Sequence, residues 1–214
     1  KPAWSSADPN TRIEVARVEA LAHYVQDDFP KAEQVLRNQI REYPGLHTPY
    51  HALWQLHFTY YEKLRGTNAA LAGQHLTNAL QIVEEQLQVQ STNAGAWFDH
   101  GNLCMFMGQW ERAVGSFSKV LQLQKESPAA LLNRAIAHLQ NKNLDAAKKD
   151  YDELLRYTTT NFKVYYGLAE IAYQRKDWRA ARDYYKEYLR YAPPYLLSEI
   201  KEMRARYEEA KKKS

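Results

Sequence analysis

Residues 94–127 read AGAWFDHGNLCMFMGQWERAVGSFSKVLQLQKES. Gly108 stands where a first helix would end, because glycine takes the left-handed backbone there without a Cβ penalty. On either side of it, Trp97, Gly101, Ala113 and Phe117 run large, small, small, large. The same order recurs 34 residues on at Leu131, Ala135, Ala147 and Tyr151, and again at Tyr165, Ala169, Ala181 and Tyr185. Two helices approach to about 8–10 Å only where a Gly or Ala accepts the opposite side chain. Three such units in succession predict stacked helix pairs that bury one continuous core.

Upstream the pattern loosens. Residues 11–46 match through Ala16, Ala20, Ala32, Leu36 and Pro44. The next unit, 47–93, holds 47 residues, 13 more than the 34-residue period. In it a first helix is expected from Thr48 to Leu64, with Arg65-Gly66-Thr67-Asn68 as a stop followed by an N-cap. Leu76, Ala79, Leu80, Val83 and Leu87 then form one stripe at helical spacing. Aligning Ala79 and Val83 with the small and large positions puts the extra residues at the turn between the two helices. Aligning Ala72 and Leu76 there instead splits them between both ends of the second helix. After Pro193-Pro194, the residues Leu196, Leu197, Ile200, Met203 and Tyr207 make one apolar stripe on an otherwise charged segment. Such a segment suits a cover for the last unit.

The 34-residue helix–turn–helix unit closely resembles the tetratricopeptide repeat. The resemblance implies an all-α, right-handed superhelical solenoid. Its units would be 11–46, an enlarged 47–93, 94–127, 128–161 and 162–195, preceded by an extension of 1–10 and closed by a capping helix at 196–214. In each unit helix A carries the first large and small residues, and helix B the second pair.

Composition narrows the function. Hydrophobic residues make up 45% and charged residues 25%, which suits a soluble packed chain. The net charge is +4, split as −2 over residues 1–93 (8 Lys+Arg, 10 Asp+Glu) and +6 over 94–214 (21 and 15). Acidic residues interleave with the basic ones, so specific nucleic-acid binding is not expected. Lys211-Lys212-Lys213 suits a helix C-terminus through the macrodipole. No apolar run is long enough to span a membrane. One cysteine allows no internal disulfide, which leaves a cytoplasmic or an envelope location open. The sequence begins at Lys1 without Met, as it would if the numbering started after a signal peptide, a lipid anchor or a longer N-terminal region.

No catalytic constellation is expected. Cys104 falls at an interior position of its helix, and His100 lacks the acid that would complete a triad. No glycine-rich phosphate loop and no G-x-S-x-G elbow occur. Of seven His, His47 and His51 lie four apart with Pro49 between them, and His57 faces elsewhere. No Cys pairs with His at ligand spacing. The expectation is therefore no metal and no cofactor, with the His solvated or at the core edge.

Helices A of such solenoids line a concave face, and the resemblance places a peptide groove there. Phe98, Asn102, Met105 and Phe106 would contribute from the third unit, and Leu132, Asn133, Ile136 and Leu139 from the fourth. Lys163, Tyr166, Glu170 and Tyr173 follow in the fifth, with Tyr24, His51, Gln55 and Phe58 toward the N-terminus. Some members of the family hold a chaperone tail's carboxylate with a Lys-Asn-Asn-Lys-Arg clamp. Asn102, Asn133 and Lys163 match three of those places, while Phe98 replaces a Lys and Gly167 an Arg. Losing two cations removes most of the charge for a carboxylate. The expected function is a non-catalytic scaffold or adaptor that binds a peptide or helix of a partner protein. The alternatives are homo-oligomeric self-association through the enlarged second unit, and a cochaperone with an incomplete clamp.

Overall fold

A computed structural model of the protein describes residues 8–214, and every regular element among them is a helix. Residues 1–7 of the expected N-terminal extension lie outside the described part. The chain divides into two compact units, one up to Cys104 and the other from Met105 onward.

The first unit contains α1 (Pro9–Val25), α2 (Phe29–Glu42), α3 (His47–Leu64), α4 (Ala69–Val89) and most of α5 (Ala94–Phe106). Asp8 starts α1 by accepting from the backbone N–H groups of Asn10 and Thr11, with Pro9 at the first helical position. The helix thus begins two residues inside the expected extension. Its core joins Ala20, Ala32, Leu36, Tyr50, Leu53, Leu56, Tyr60 and Ile82. Ala16 is buried on the same side of α1.

The α3–α4 hairpin has arms of 18 and 21 residues, against 13 in α5. Asn68 caps α4 with its side chain on the Leu71 N–H. The extra turns are filled by imidazole as well as hydrocarbon. His57 and His75 are buried, their Nδ1 atoms 3.1 Å apart. Phe29 packs edge-on against both rings, with centroids 5.1 and 4.7 Å away, and against Tyr60 at 4.6 Å. Glu33 stands 3.5 Å from His57 Nε2 and accepts from Arg37 Nε at 2.7 Å. Hydrogen bonding to His57, then to Arg37, holds the Glu33 carboxyl down at about 2 despite its partial burial. These two His are core residues rather than solvated ones.

The second unit contains α6 (Trp110–Leu123), α7 (Pro128–Gln140), α8 (Leu144–Leu154), α9 (Phe162–Gln174), α10 (Trp178–Tyr191) and α11 (Leu197–Lys213). Small residues mark the close approaches, as Ala135, Ala147, Ala169 and Ala181 are all inaccessible. One core joins Leu131, Leu139, Tyr151, Leu154, Val164, Leu168 and Ile171, and another joins Tyr185, Tyr188, Met203 and Ala210. Gly167 admits the Tyr151 ring so closely that a Cβ on it would lie 2.1 Å from Tyr151 Cζ. Arg134 on α7 clamps the buried Asp150 on α8 with two bonds of 2.7 Å and reaches Ser118 on α6 at 3.1 Å.

Four of the turns share a left-handed residue, and the α3–α4 turn does not. Asp27, Gly108, Lys142 and Lys176 take positive φ of 61°, 71°, 62° and 59°. After three of them the next residue caps the following helix, as Asp28, Asn143 and Asp177 accept from the N–H of Lys31, Ala146 and Ala180. The same three residues donate their own N–H back to His23, His138 and Ala172 carbonyls. That six-to-one bond closes the preceding helix.

Most of the stripe expected on the closing helix α11 packs inward, with Met203 buried, Tyr207 on the same cluster and Leu196 and Ile200 half-buried. Met203 and Ala210 are buried, while Leu197 stays 75% exposed. Arg206 and Glu209, read as part of a charged outer face, turn inward to Glu170 and Tyr173.

Two measurements follow from this packing. Gly167→Ala should destabilise the protein by about 2 kcal/mol or more through overpacking against Tyr151. Gly115→Ala, in α6 with nothing within 4 Å, should stabilise by about 0.5–1 kcal/mol, both read from chemical denaturation. Burial lowers the His75 pKa below its ordinary 6.5, so the unfolded chain takes up that proton first. Stability should therefore fall as pH drops through 6.5, and His75→Phe should flatten that slope. Glu33, held at about 2 against an ordinary 4.5, loses its contribution as pH falls from 4.5 towards about 2, a separate and more acidic window.

Candidate functional site

In the second unit α9, α10 and α11 enclose a cleft of about 440 Å³. Lys163 and Tyr166 from α9 line it with Phe162, Tyr188, Tyr195, Leu196, Glu199, Glu202 and Met203. Tyr166 is 38% exposed, with its ring 6.1 Å from that of Tyr188. Desolvation, then Glu170, pushes its hydroxyl above the usual phenol range, so it stays a neutral donor. The wall is aromatic and its rim carries one cation and two carboxylates.

The other groove residues expected in this unit divide into two groups. Leu132, Asn133 and Ile136 are half-buried on α7, and Leu132 and Ile136 pack on the core. Leu139 is buried. Glu170 and Tyr173 are committed to α11. Glu170 accepts from the Tyr185 hydroxyl at 2.7 Å and pairs with Arg206. The Tyr173 hydroxyl donates to Glu209 at 2.8 Å, and Arg206 lies over its ring at 5.6 Å. The closing helix therefore takes these two side chains out of the expected groove. The clamp position at Gly167 is shut to any side chain by Tyr151.

On α5, Phe98, Asn102 and Met105 are half-buried and Phe106 is 45% exposed. The same helix buries Cys104, whose Sγ lies 3.6 Å from His100 Nδ1.

The first unit holds a cleft of about 320 Å³ between α1 and α3, lined by Val18, Leu21, Tyr24, Ala52, Gln55 and Leu56 among others. Tyr24 and Gln55 were expected on this side, whereas exposed Val18, Leu21 and Val25 had no assigned role. Phe58 stands beside Trp54, with ring centroids 6.3 Å apart. His51 joins a group that sequence spacing did not suggest. Its Nδ1 lies 2.7 Å from Oδ2 of Asp99 on α5, and the same oxygen accepts from Trp54 Nε1 at 2.9 Å. His47 Nε2 is 3.6 Å from that oxygen. Helix α3 begins at His47 rather than at Thr48, so Pro49 sits within its first turn and both His project from one helix. The third member comes from 48 residues away, beyond the reach of a local motif.

Comparison with known proteins places the chain. A family model described as the cilia and flagella-associated protein 70 middle TPR-like domain matches residues 67–162, and a tetratricopeptide repeat model matches 138–207. No curated protein sequence matches the chain significantly. Among solved structures, a tetratricopeptide repeat protein from Parabacteroides merdae is 19% identical, with a TM-score of 0.69 over 95% of this chain and 75% of that one. PilF of Pseudomonas aeruginosa is 18% identical, with a TM-score of 0.62 over 94% of this chain and 90% of its own. A thermophilic TPR protein of Thermus thermophilus is 14% identical, at 0.57 over 92% and 98%. At these identities the likeness speaks for the fold. With the 34-residue recurrence, the paired helices and two repeat models spanning 67–207 in agreement, the chain belongs to the tetratricopeptide repeat family.

Proposed function

We infer that the protein is a non-catalytic interaction scaffold that docks an extended peptide or a helix of a partner protein. The observation that carries this reading is the α9–α11 cleft, where exposed aromatic walls meet a small set of charges. Tyr166 and Tyr195 offer large contact areas on side chains with few rotatable bonds, so ordering them on binding costs little. Lys163 at one rim and Glu199 and Glu202 at another give a ligand an orientation. The Asn133 amide on α7 supplies a donor and an acceptor suited to a peptide backbone. Phe98, Asn102, Met105 and Phe106 present the same pairing of aromatic or thioether surface with an amide on α5.

Chemistry of the ligand is narrowed by what surrounds Gly167. No cation can be placed there, which disfavours a free carboxylate as the main anchor and with it the cochaperone reading. The non-catalytic reading draws on the family, whose repeats are generally not enzymes, and on the inaccessibility of Cys104. Self-association through the α3–α4 hairpin has less surface to work with. Its tip, residues 65–70, is exposed and mostly polar, with Leu71 at its edge.

Selecting binders to the purified chain from a random peptide library provides ligands for the test. The Tyr166→Ala/Asn133→Ala variant should bind them at least about tenfold more weakly, the cost of losing one buried aromatic anchor and a backbone contact. Equal affinity would remove the groove assignment. Light scattering of the intact chain and of one lacking residues 61–73 separates the alternative. A scaffold of the kind inferred keeps one mass in both, whereas a dimer that dissociates on deletion would favour self-association.

A further inference from the structure

We propose that His47, His51 and Asp99 form a binding site for a single divalent transition-metal ion of the zinc type. Three potential ligand atoms, one from each residue, lie within 4.8 Å of one another. Two ligands held about 2.0–2.1 Å from a tetrahedral ion lie about 3.4 Å apart. The observed separations from Asp99 Oδ2 bracket that value, at 2.7 Å to His51 Nδ1 and 3.6 Å to His47 Nε2. At Asp99, entry of an ion needs the first contact to open by less than an ångström and the second to close slightly. The ligand nitrogens of the two imidazoles already lie within 4.8 Å of each other.

Hydrogen bonding around the three residues fits this assignment. The indole N–H of Trp54 points at both Asp99 Oδ2, at 2.9 Å, and His51 Nδ1, at 3.2 Å. The indole hydrogen bond goes to Asp99 Oδ2, and the two atoms it points at are themselves 2.7 Å apart, a spacing that calls for a proton or a cation between them. In the empty site the His51 Nδ1 proton fills that role. On binding, the proton moves to the ring's Nε2 and the metal takes its place. His47 is oriented from behind by the buried Gln86, whose amide Nε2 and Oε1 lie 2.9 and 3.3 Å from His47 Nδ1. The nearer amide nitrogen donates to His47 Nδ1 as placed; turning the Gln86 amide over sets Oε1 there instead, so that His47 donates Nδ1–H and its Nε2 lone pair faces Asp99. A partner of this kind on the far nitrogen is a recurring feature of metal-bound histidine.

Space and access are also provided. Gly95, in the first turn of α5, leaves room for the His47 ring, since a Cβ there would lie 3.1 Å from His47 Nε2. The Asp99 side chain is only 8% exposed, whereas His47 and His51 are 31% and 36% exposed. The anionic ligand is thus shielded from water while the two imidazoles keep an entry path and an open fourth position. Two neutral imidazoles and one carboxylate suit zinc better than calcium or magnesium, which favour all-oxygen sets.

The test uses the full chain, stripped with a chelator and titrated with zinc alone. Binding of one equivalent is expected, with a rise in thermal midpoint that grows with free zinc. His51→Ala and Asp99→Asn should each weaken binding about tenfold or more, and Gln86→Leu should weaken it through the orientation of His47. His138→Ala, in the other unit, should bind as the parent does. Cobalt(II) should give ligand-field bands without sulfur charge transfer. Absence of saturable zinc binding would overturn the proposal, as would affinity unchanged in His51→Ala and Asp99→Asn. A thiolate charge-transfer band would overturn it too, by placing the ion on Cys104. If the variants fail to fold by circular dichroism, the cobalt spectrum and the zinc-dependent midpoint of the unaltered chain decide.

Discussion

Helix pairs in this protein approach each other over side chains no larger than a methyl group. In the second unit Ala135, Ala147, Ala169 and Ala181 are inaccessible, and at Gly167 even a methyl is excluded by the Tyr151 ring. Close approach places large residues opposite small ones, and that alternation repeats because each pair must stack on the next. The turns obey the same economy. In the α1–α2, α7–α8 and α9–α10 pairs a left-handed residue directly followed by an N-cap reverses the chain with few connecting residues. Lys142 and Lys176 accept a backbone conformation that costs a non-glycine residue about 1 kcal/mol or more. The closing hydrogen bonds of the turn offset that cost.

Most of the fold was legible because it follows from local periodicity and a fixed repeat length. Large and small positions, helix stops and the Asn68 cap are all set by residues within a few turns of one another. The site was less legible, for a physical reason. Helical spacing says which side chains share a face, but not what another helix brings to that face. Glu170 and Tyr173 share the face of Tyr166, yet α11 arrives with Arg206 and Glu209 and occupies them. The stripe on α11 placed Met203 and Tyr207 on the core but not Ala210, and it included Leu197, which stays outside.

Histidines show the same limit more sharply. Spacing along α3 separated His47, His51 and His57 into unrelated residues. Folding gives two of them a shared carboxylate and pairs the third with His75 inside the elongated hairpin. A polar side chain is buried at low cost only if its hydrogen bonds are replaced, and those partners lie 18 to 48 residues away. Nothing in a local window distinguishes such a histidine from a solvated one.

The abundance of tyrosine over phenylalanine, 16 against 6, connects packing to recognition. Several rings that fill helix interfaces also place a hydroxyl on a distant acceptor. Tyr185 donates to Glu170, Tyr173 to Glu209, Tyr165 to the Thr159 carbonyl and Tyr60 to Asp27. Phenylalanine would fill much the same volume but leave Glu170, a partly buried carboxylate, with one partner fewer. Burial, then the bond to Glu170, drives the Tyr185 hydroxyl far above the usual phenol range, so it acts only as a neutral donor. The closing helix can therefore be richly charged and still pack, because each inward charge meets a hydroxyl or an opposite charge. Tyr166 lies on α9 with Glu170, one residue before Gly167, and in contact with Tyr188. Its exposed edge is held by a neighbourhood already fixed by those bonds. Under the proposed reading, a rigid aromatic wall of this kind would meet a ligand without first having to order itself.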